Sequence, residues 1–300
     1  MPRVLVTGAS GLLGRRTVPM LVEQGWDVVT AGRGDGDHRV DVTRPGSLTA
    51  LVESAGPDAV VHLAGGVAGP DQSTWELNLL PSVELLHAAV RCTRPPRVVL
   101  IGSAAEYGAD GVHVTEDTPA RPVSDYGRAK HVQTVCARRF YENGAEVLVV
   151  RPFNVVAPDL PVSSALGNLR AQVMAGRPAP SCVVRCGRLD VVRDFVTADF
   201  VAKVVVTCLD RWPKVPLLNV ASGHGIALRD LFDAFGAAVG MRLQYRPAPE
   251  LLAIPGPDVL TADTAALEAA TALRGRVDVH QLARQLAGPE WSASTPGVSA

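Results

Sequence analysis

The stretch Arg3-Val4-Leu5-Val6-Thr7-Gly8-Ala9-Ser10-Gly11-Leu12-Leu13-Gly14 decides the fold. An apolar run ends at Thr7, glycines recur at every third position, and a helix-period pattern follows. In such a turn Gly8 permits the tight bend, Gly11 lets backbone approach a pyrophosphate, and Gly14 lets the helix pack closely on the strand. The helix N-terminus then offers N–H groups and a positive dipole end to phosphate. A glycine motif alone is weak, but this one follows a strand and opens a helix, which is its confirming context. Gly8, Ser10, Gly11, Leu12, Leu13 and Gly14 are therefore candidate cofactor-binding residues.

Working outward, strands are expected at 3–7, 27–31, 38–42, 58–63, 97–102 and 146–151. Helices are expected at 12–24, 47–55, 73–91 and 125–142. The strands are rich in Val, Leu and Ile without clean alternation, the pattern of parallel strands buried on both faces. Strand–helix alternation on this scale predicts an α/β fold, a doubly wound parallel sheet of Rossmann type, over residues 1–154. Beyond Pro152 the pattern loosens. Helices are expected at 165–175, 197–211 and 228–239, and strands at 216–220 and 241–245. Residues 155–287 read as a smaller substrate-binding lobe interleaved with the last sheet elements. Residues 288–300, small, polar and Pro-containing, read as a flexible tail.

Three hundred residues with 47% hydrophobic content are enough for a large core. A net charge of −1 gives no reason to expect nucleic acid or an anionic membrane as partner. Met1-Pro2-Arg3 leads directly into the first strand, and no run of 18 or more apolar residues occurs, so a cytoplasmic location is expected. Five scattered cysteines argue against a disulfide framework, and Cys182 and Cys186 have no second pair to complete a metal site, so no metal is expected.

The end of the second strand selects the cofactor. An acid there would bind the adenosine ribose diol, whereas an Arg suits a 2′-phosphate. The chain reads Thr30-Ala31-Gly32-Arg33, which favours NADP(H). Asp35 and Asp37 nearby keep NAD(H) as the alternative. Asp41 and Val42 are candidates to flank the adenine, and Leu63-Ala64-Gly65 and Ser103 fall at the carboxyl ends of the next strands, where ligands bind in such sheets. Tyr126-Gly127-Arg128-Ala129-Lys130 places a phenol and an ammonium on one helical face. Bringing a phenol from near ~10 to about 7 takes roughly 4 kcal/mol. A neighbouring ammonium in a partly dry site, aided by a cofactor cation, is expected to supply it.

At this point the chain resembles the extended short-chain dehydrogenase/reductases, the group of NAD(P)-dependent nucleotide-sugar epimerases, dehydratases and reductases. The motifs are the Thr7–Gly14 turn, His62-Leu63-Ala64-Gly65, Asn78, Ser103 with Glu106-Tyr107-Gly108, and Tyr126 with Lys130. Further on come Arg151-Pro152-Phe153-Asn154, Arg193-Asp194-Phe195-Val196 and Leu218-Asn219-Val220-Ala221-Ser222-Gly223. The resemblance implies that Tyr126 is the general acid or base, that Lys130 binds the nicotinamide ribose and lowers the Tyr126 pKa, and that Ser103 holds the reacting oxygen. It implies Phe153 as a cofactor contact and Ser103, Glu106, Asn154, Asn168, Arg170 and Arg193 as substrate contacts, with Arg193 on phosphate oxygens. It also implies a homodimer paired through the helices after the fourth and fifth strands.

Dehydratases and decarboxylases of this family resemble one another in an acidic residue two positions after the catalytic Ser or Thr. Here Ala104 and Ala105 follow Ser103, and Glu106 comes one step later, which in a strand-like segment reverses the side chain. That argues against elimination. The C-terminal half is similar to the GDP-4-keto-6-deoxymannose reductases at Pro122-Val123-Ser124, Gly187-Arg188-Leu189-Asp190 and the Asn219–Gly223 turn. The leading expectation is an NADPH-dependent ketoreductase acting on a nucleotide-activated 4-keto-6-deoxy sugar. A redox-neutral nucleotide-sugar epimerase is the alternative, and a non-catalytic NADP(H)-binding regulator the remote one.

Overall fold

A computed structural model of the chain describes residues 1–34, 36–67, 73–108, 111–254 and 256–292. The first half runs β1 (Arg3–Thr7), α1 (Gly14–Glu23), β2 (Asp27–Gly32), β3 (His38–Arg39), α2 (Ser47–Ala55), β4 (Ala59–His62), α3 (Thr74–Asn78) and α4 (Leu80–Arg91). It continues with β5 (Arg97–Ile101), a 3-10 turn (Ala104–Glu106), β6 (Gly111–Val114), α5 (Asp125–Glu142), β7 (Val147–Pro152) and β8 (Asn154–Val156). The second half runs α6 (Ala165–Ala175), β9 (Ser181–Cys186), β10 (Val192–Thr197), α7 (Ala198–Asp210), β11 (Leu217–Val220), β12 (Gly225–Ala227) and α8 (Leu228–Ala238). Then come β13 (Arg242–Pro247), α9 (Pro249–Leu252), β14 (Val259–Ala262), α10 (Ala265–Thr271), α11 (Val279–Ala287) and α12 (Pro289–Ser292).

Seven strands form the main sheet in the order β11-β7-β5-β4-β1-β2-β3, every pairing parallel. The missing alternation in the sequence now has its cause. Val4 and Val6 face one side of the sheet and Leu5 the other, and both sides are covered. One face packs on Leu21 of α1, Val201, Val204 and Val205 of α7 and Leu267 of α10. The other packs on Leu48 and Leu51 of α2, Leu85 and Leu86 of α4 and Ala137 of α5. At roughly 25 cal/mol per Å² of apolar surface removed from water, these two layers are the main source of the sheet's stability. The chain leaves β1 toward β2 and β3, then crosses to β4, β5, β7 and β11. The switch point therefore lies between β1 and β4, and a ligand crevice is expected at their carboxyl ends.

A third core gathers Leu166 and Leu169 of α6, Val184 of β9, Phe232 and Phe235 of α8 and Leu282 and Leu286 of α11. It supports a smaller sheet, β12-β10-β14-β6 with β8 beside β10, and the β9–β13 pair. β11 and α7 return to the main sheet between these elements, so the lobe is interleaved with the sheet.

Four expectations need correction. The 73–91 helix is two, α3 and α4, because Pro81 lacks an N–H and its ring crowds the preceding turn, so the helix restarts with proline in its first turn. The strand expected at 38–42 spans two residues, because Asp41 accepts from Thr43 N–H and turns the chain. The tail expected from Gly288 is docked at its start: α12 packs Trp291 on the third core, with the Arg177 guanidinium 4.1 Å from its ring centroid. Residues 293–300 lie outside the described residues. Ser103 is not followed by a strand-like segment but by the 3-10 turn, whose consequence for Glu106 is given below. Among the described residues no helix is long and apolar enough to cross a membrane, and the five cysteines are free.

Candidate active site

The Gly8–Gly14 turn is a cradle that side chains would fill. Gly8 has φ +71°, and a Cβ there would stand 2.6 Å from Ala64 N. A Cβ on Gly14 would overlap the carbonyl oxygens of Gly8 and Ala9. Ser10 and Gly11 stay exposed, and Gly11 N–H donates to Gly8 O to close the turn. Leu12 and Leu13 are half-buried at the helix start. Leu63, Ala64 and Gly65 leave the neighbouring β4 directly against this turn. His62, buried and bonded through Nδ1 to Thr7 Oγ1 at 2.7 Å, anchors that second turn. Burial, with Lys130 nearby, pushes its imidazole down to about 3, so it is neutral. The residues present fit a dinucleotide whose pyrophosphate approaches backbone.

At the end of β2, Arg33 is exposed, and Gly34 lies beside the turn, with a Cβ there 3.8 Å from Ser10 Oγ. Asp37, one of the acids that kept the NAD(H) alternative open, is occupied: its carboxylate accepts from Thr30 N–H and Oγ1 at 2.8 Å each. Asp35 lies outside the described residues. Asp41 accepts from Thr43 N–H and hydroxyl, which hold its carboxyl below the usual range, with Arg33 contributing; Val42 is buried beside it.

Ser103, Tyr126, Phe153 and Asn154 meet on one wall of a cavity of about 630 Å³ between the sheet's carboxyl edge and the lobe. Pockets of about 300–1,000 Å³ are typical of small-molecule sites. α5 is launched there by Ser124, which accepts from Gly127 N–H at 3.1 Å, so Tyr126 sits in the first turn. One turn on, the Lys130 Nζ is 6.0 Å from the Tyr126 ring centroid. It donates to Ile101 O at 2.8 Å and Gln133 Oε1 at 3.1 Å. Asn78 accepts from Gly66 N–H and donates to Gly66 O, holding the Gly65–Gly66 turn beside Lys130.

Burial pushes the Tyr126 phenol up to about 12; the Ser103 hydroxyl works against this and the Glu106 charge with it. Burial pulls Lys130 down to about 8, with Glu106 opposing. Without cofactor, burial thus keeps Tyr126 protonated.

Two expected substrate contacts are also corrected. Glu106 is fully buried: the 3-10 turn aims it inward, where it accepts from Ser103 N–H and pairs with Arg151 at 2.7 Å. Arg170 does not border the cavity; it donates to Leu286 O and Ala287 O at the end of α11, where a cation complements the helix carbonyls. Asn168 borders the cavity and is bonded to Gln172. Asn154 does too, donating to Asp194 O. Arg193 reaches the cavity while donating to Pro257 O at 2.6 Å and Asp258 O at 3.2 Å, so it also fixes the loop that walls the far side.

Sequence reasoning missed Gln133 and Ser82, which complete the Lys130 network; Ser82 bonds Gln133 Oε1 at 3.2 Å. Positions 126, 130 and 133 follow the helical repeat, and that was the available signal. It also missed the role of Asp194, whose buried carboxylate accepts from Ser222 N–H and Oγ and from Gly223 N–H, fastening the turn after β11.

The model of the NAD dependent epimerase/dehydratase family matches residues 4–221. The chain belongs to that family. It is an NAD(P)-dependent enzyme of the extended short-chain dehydrogenase/reductase type, with the Rossmann sheet of that group. It is 30% identical to a dTDP-6-deoxy-L-talose 4-dehydrogenase (NAD(P)(+)) of Kitasatospora kifunensis over 278 residues, covering 85% of this chain and 83% of that one. It is 26% identical to a GDP-6-deoxy-D-mannose reductase of Pseudomonas aeruginosa, covering 82% and 83% respectively. The solved structure of RMD from Pseudomonas aeruginosa complexed with NADPH superposes with a TM-score of 0.80 at 25% identity, over 98% of this chain and 100% of that one.

Proposed function

We propose that this enzyme uses NADPH to reduce the 4-keto group of a nucleotide-activated 6-deoxy sugar. The observation that carries the reading is Ser103 set beside a Tyr126 phenol held protonated on the cavity wall. Adding hydride to a ketone creates an alkoxide that must be protonated, and a phenol near 12 is a donor in place. A bound NADPH would supply the hydride. Tyr126 gives its proton to the carbonyl oxygen, and Ser103 donates a hydrogen bond to the same oxygen, stabilising the charge that develops there. Lys130 would hold the nicotinamide ribose, and its ammonium stabilises the phenolate left on Tyr126 until solvent returns the proton. Ala104 and Ala105 line the cavity next to Ser103, and their methyl groups transfer no proton, which leaves chemistry at a single carbon.

The proposed preference for NADP(H) rests on Arg33 at the end of β2, next to Gly34, which lies against Ser10, and on Asp37 being turned back onto Thr30. Asn154, Asn168 and Arg193 are proposed as the groups that contact the nucleotide and sugar. The names of the relatives, one a 4-dehydrogenase of a dTDP-6-deoxy sugar and one a reductase named for a GDP-6-deoxy sugar, support the substrate class. A homodimer through α3–α4 and α5 is proposed on the exposed Leu80, Val90 and Val135 of these helices. The test is to supply dTDP- and GDP-4-keto-6-deoxyhexoses with NADPH and analyse products. Stoichiometric NADPH oxidation with formation of a 6-deoxyhexose is expected. Interconversion of two sugar nucleotides with no net NADPH loss would establish an epimerase instead.

A further inference from the structure

Glu106 reaches neither cavity nor solvent, yet both its oxygens are used. Oε1 accepts from Ser103 N–H at 2.9 Å, and Oε2 pairs with Arg151 Nη2 at 2.7 Å. In return Ser103 Oγ accepts from Ala105 N–H at 3.2 Å, so serine and glutamate cap the 3-10 turn reciprocally. Arg151 is itself fixed. It is almost fully buried, and its guanidinium lies 4.6 Å from the Tyr107 ring centroid. The Tyr107 hydroxyl donates to Asn219 Oδ1 at 2.9 Å and Thr115 O at 2.8 Å. β5, β7 and β11 thus converge on one carboxylate directly behind Ser103.

We propose that Glu106, locked by Arg151, is the positioning residue of the centre: it sets the place of Ser103 and supplies the fixed negative charge behind Ser103 and Tyr126. A buried ion pair is weak as a source of stability, since desolvation offsets attraction, but it holds one geometry well. The charge acts in the same direction on both partners, favouring the protonated phenol of Tyr126 and the ammonium of Lys130. Glu106 does not touch substrate; it acts through these groups. The other charged or titratable groups facing the centre are Lys130 on α5, Arg151 on β7, Tyr107 and Glu116 beyond Arg151, His62 behind Lys130, and Arg185, Cys186, Arg188 and Arg193 across the cavity.

The proposal rests on the ketoreductase reading for its kinetic arm only. Three variants separate its parts. Glu106→Gln keeps an oxygen for Ser103 N–H and removes the charge. Glu106→Ala removes both. Glu106→Gln with Arg151→Gln removes the cation that the first change leaves unpaired. With NADPH and a 4-keto-6-deoxyhexose nucleotide, Glu106→Gln should lose about tenfold to a hundredfold in kcat, while KM and NADPH affinity stay within about twofold. Glu106→Ala should lose more, and the double variant should regain Tm without regaining kcat. In parallel, ¹³Cζ-tyrosine NMR, with the Tyr126 resonance assigned through Tyr126→Phe, follows the phenol directly in the complex with NADP⁺. Its titration midpoint should fall in Glu106→Gln. An unchanged kcat in all three variants, or kcat, KM, NADPH affinity and Tm falling together and recovering together in the double variant, would overturn the proposal. So would a Tyr126 midpoint that does not move. The NMR arm needs no sugar substrate, so a wild type that reduces no 4-keto sugar sinks the ketoreductase reading while the claim for Glu106 is still decided.

Discussion

Lys130→Met should make the ligand-free protein more stable while making it a poor enzyme. Burial lowers the Lys130 ammonium to about 8 from 10.5. At roughly 1.4 kcal/mol per tenfold, carrying that charge at pH 7 costs the folded state roughly 3 kcal/mol. Met fills a similar volume without charge. It forfeits the hydrogen bonds to Ile101 O and Gln133 Oε1, each contributing about 1 kcal/mol. Gln133 Nε2 still donates to Ile101 O at 3.1 Å, and Gln133 Oε1 keeps a share of the Ser82 hydroxyl, which also donates to Asn78 O at 2.9 Å. The net expectation is a gain of about 1 kcal/mol at pH 7, or about 2 °C in Tm for a chain of this length. The pH dependence gives a sharper signature. Between about 8 and about 10 the unfolded chain binds the Lys130 proton more readily than the folded one, so wild-type stability should rise with pH through that window. The Lys130→Met protein lacks this term, so its advantage at pH 7 should vanish by about pH 10. Urea unfolding followed by tryptophan fluorescence at pH 7, 8.5 and 10, without cofactor, measures it. A variant less stable than wild type at pH 7, or a difference that does not change with pH, would refute the reasoning.

Arg33→Ala should weaken NADPH binding by roughly 1–2 kcal/mol, the lower part of the range for a charged contact because the side chain is exposed and screened, and leave NADH nearly untouched; fluorescence titration at two salt concentrations checks both. Gly8→Ala puts a Cβ against Ala64 N and Leu63 C at a φ of +71°, and should cost about 2–4 kcal/mol in urea unfolding and abolish measurable NADPH binding. Asp159 ties the first turn of α1 to the loop before α6. Burial pushes its carboxyl up, but hydrogen bonds from Arg16 and Arg15 outweigh it and hold it down at about 2. A carboxyl held low stabilises the fold above its ordinary range and loses that contribution as pH falls from about 4 to about 2. Asp159→Asn should therefore cost roughly 1 kcal/mol at pH 7, allowing for its partial exposure, and only a small fraction of that at pH 2, as read by unfolding at both.

The parallel sheet was legible because its physics is local. Val4-Leu5-Val6, Val60-Val61 and Val98-Val99-Leu100 can only be strands covered on both faces, and glycines at 8, 11 and 14 have one economical explanation between a strand and a helix. Tyr126 and Lys130 were legible because one helix carries both. The lobe was less so. β10 reads Val192-Arg193-Asp194-Phe195-Val196-Thr197, and its buried Asp194 looks unlike a core residue until the backbone N–H groups of Ser222, Gly223 and Ala262 arrive from distant chain. Glu106 shows the same limit. Its neighbours in sequence suggested a residue at the substrate, and only the arrival of Arg151 from β7 explains why the carboxylate turns inward. The burial that raises the Tyr126 phenol in the ligand-free chain is tertiary, and the pentapeptide does not show it.

The most direct test of the central claim follows NADPH and a 4-keto-6-deoxyhexose nucleotide in wild type and Tyr126→Phe. Wild type should oxidise one NADPH for each 6-deoxyhexose formed. Tyr126→Phe should bind NADPH with unchanged affinity yet lose about 10²–10⁴-fold in kcat, the contribution of a positioned general acid. Wild-type turnover without NADPH oxidation, or a Tyr126→Phe protein that reduces the ketone at the wild-type rate, would contradict the account.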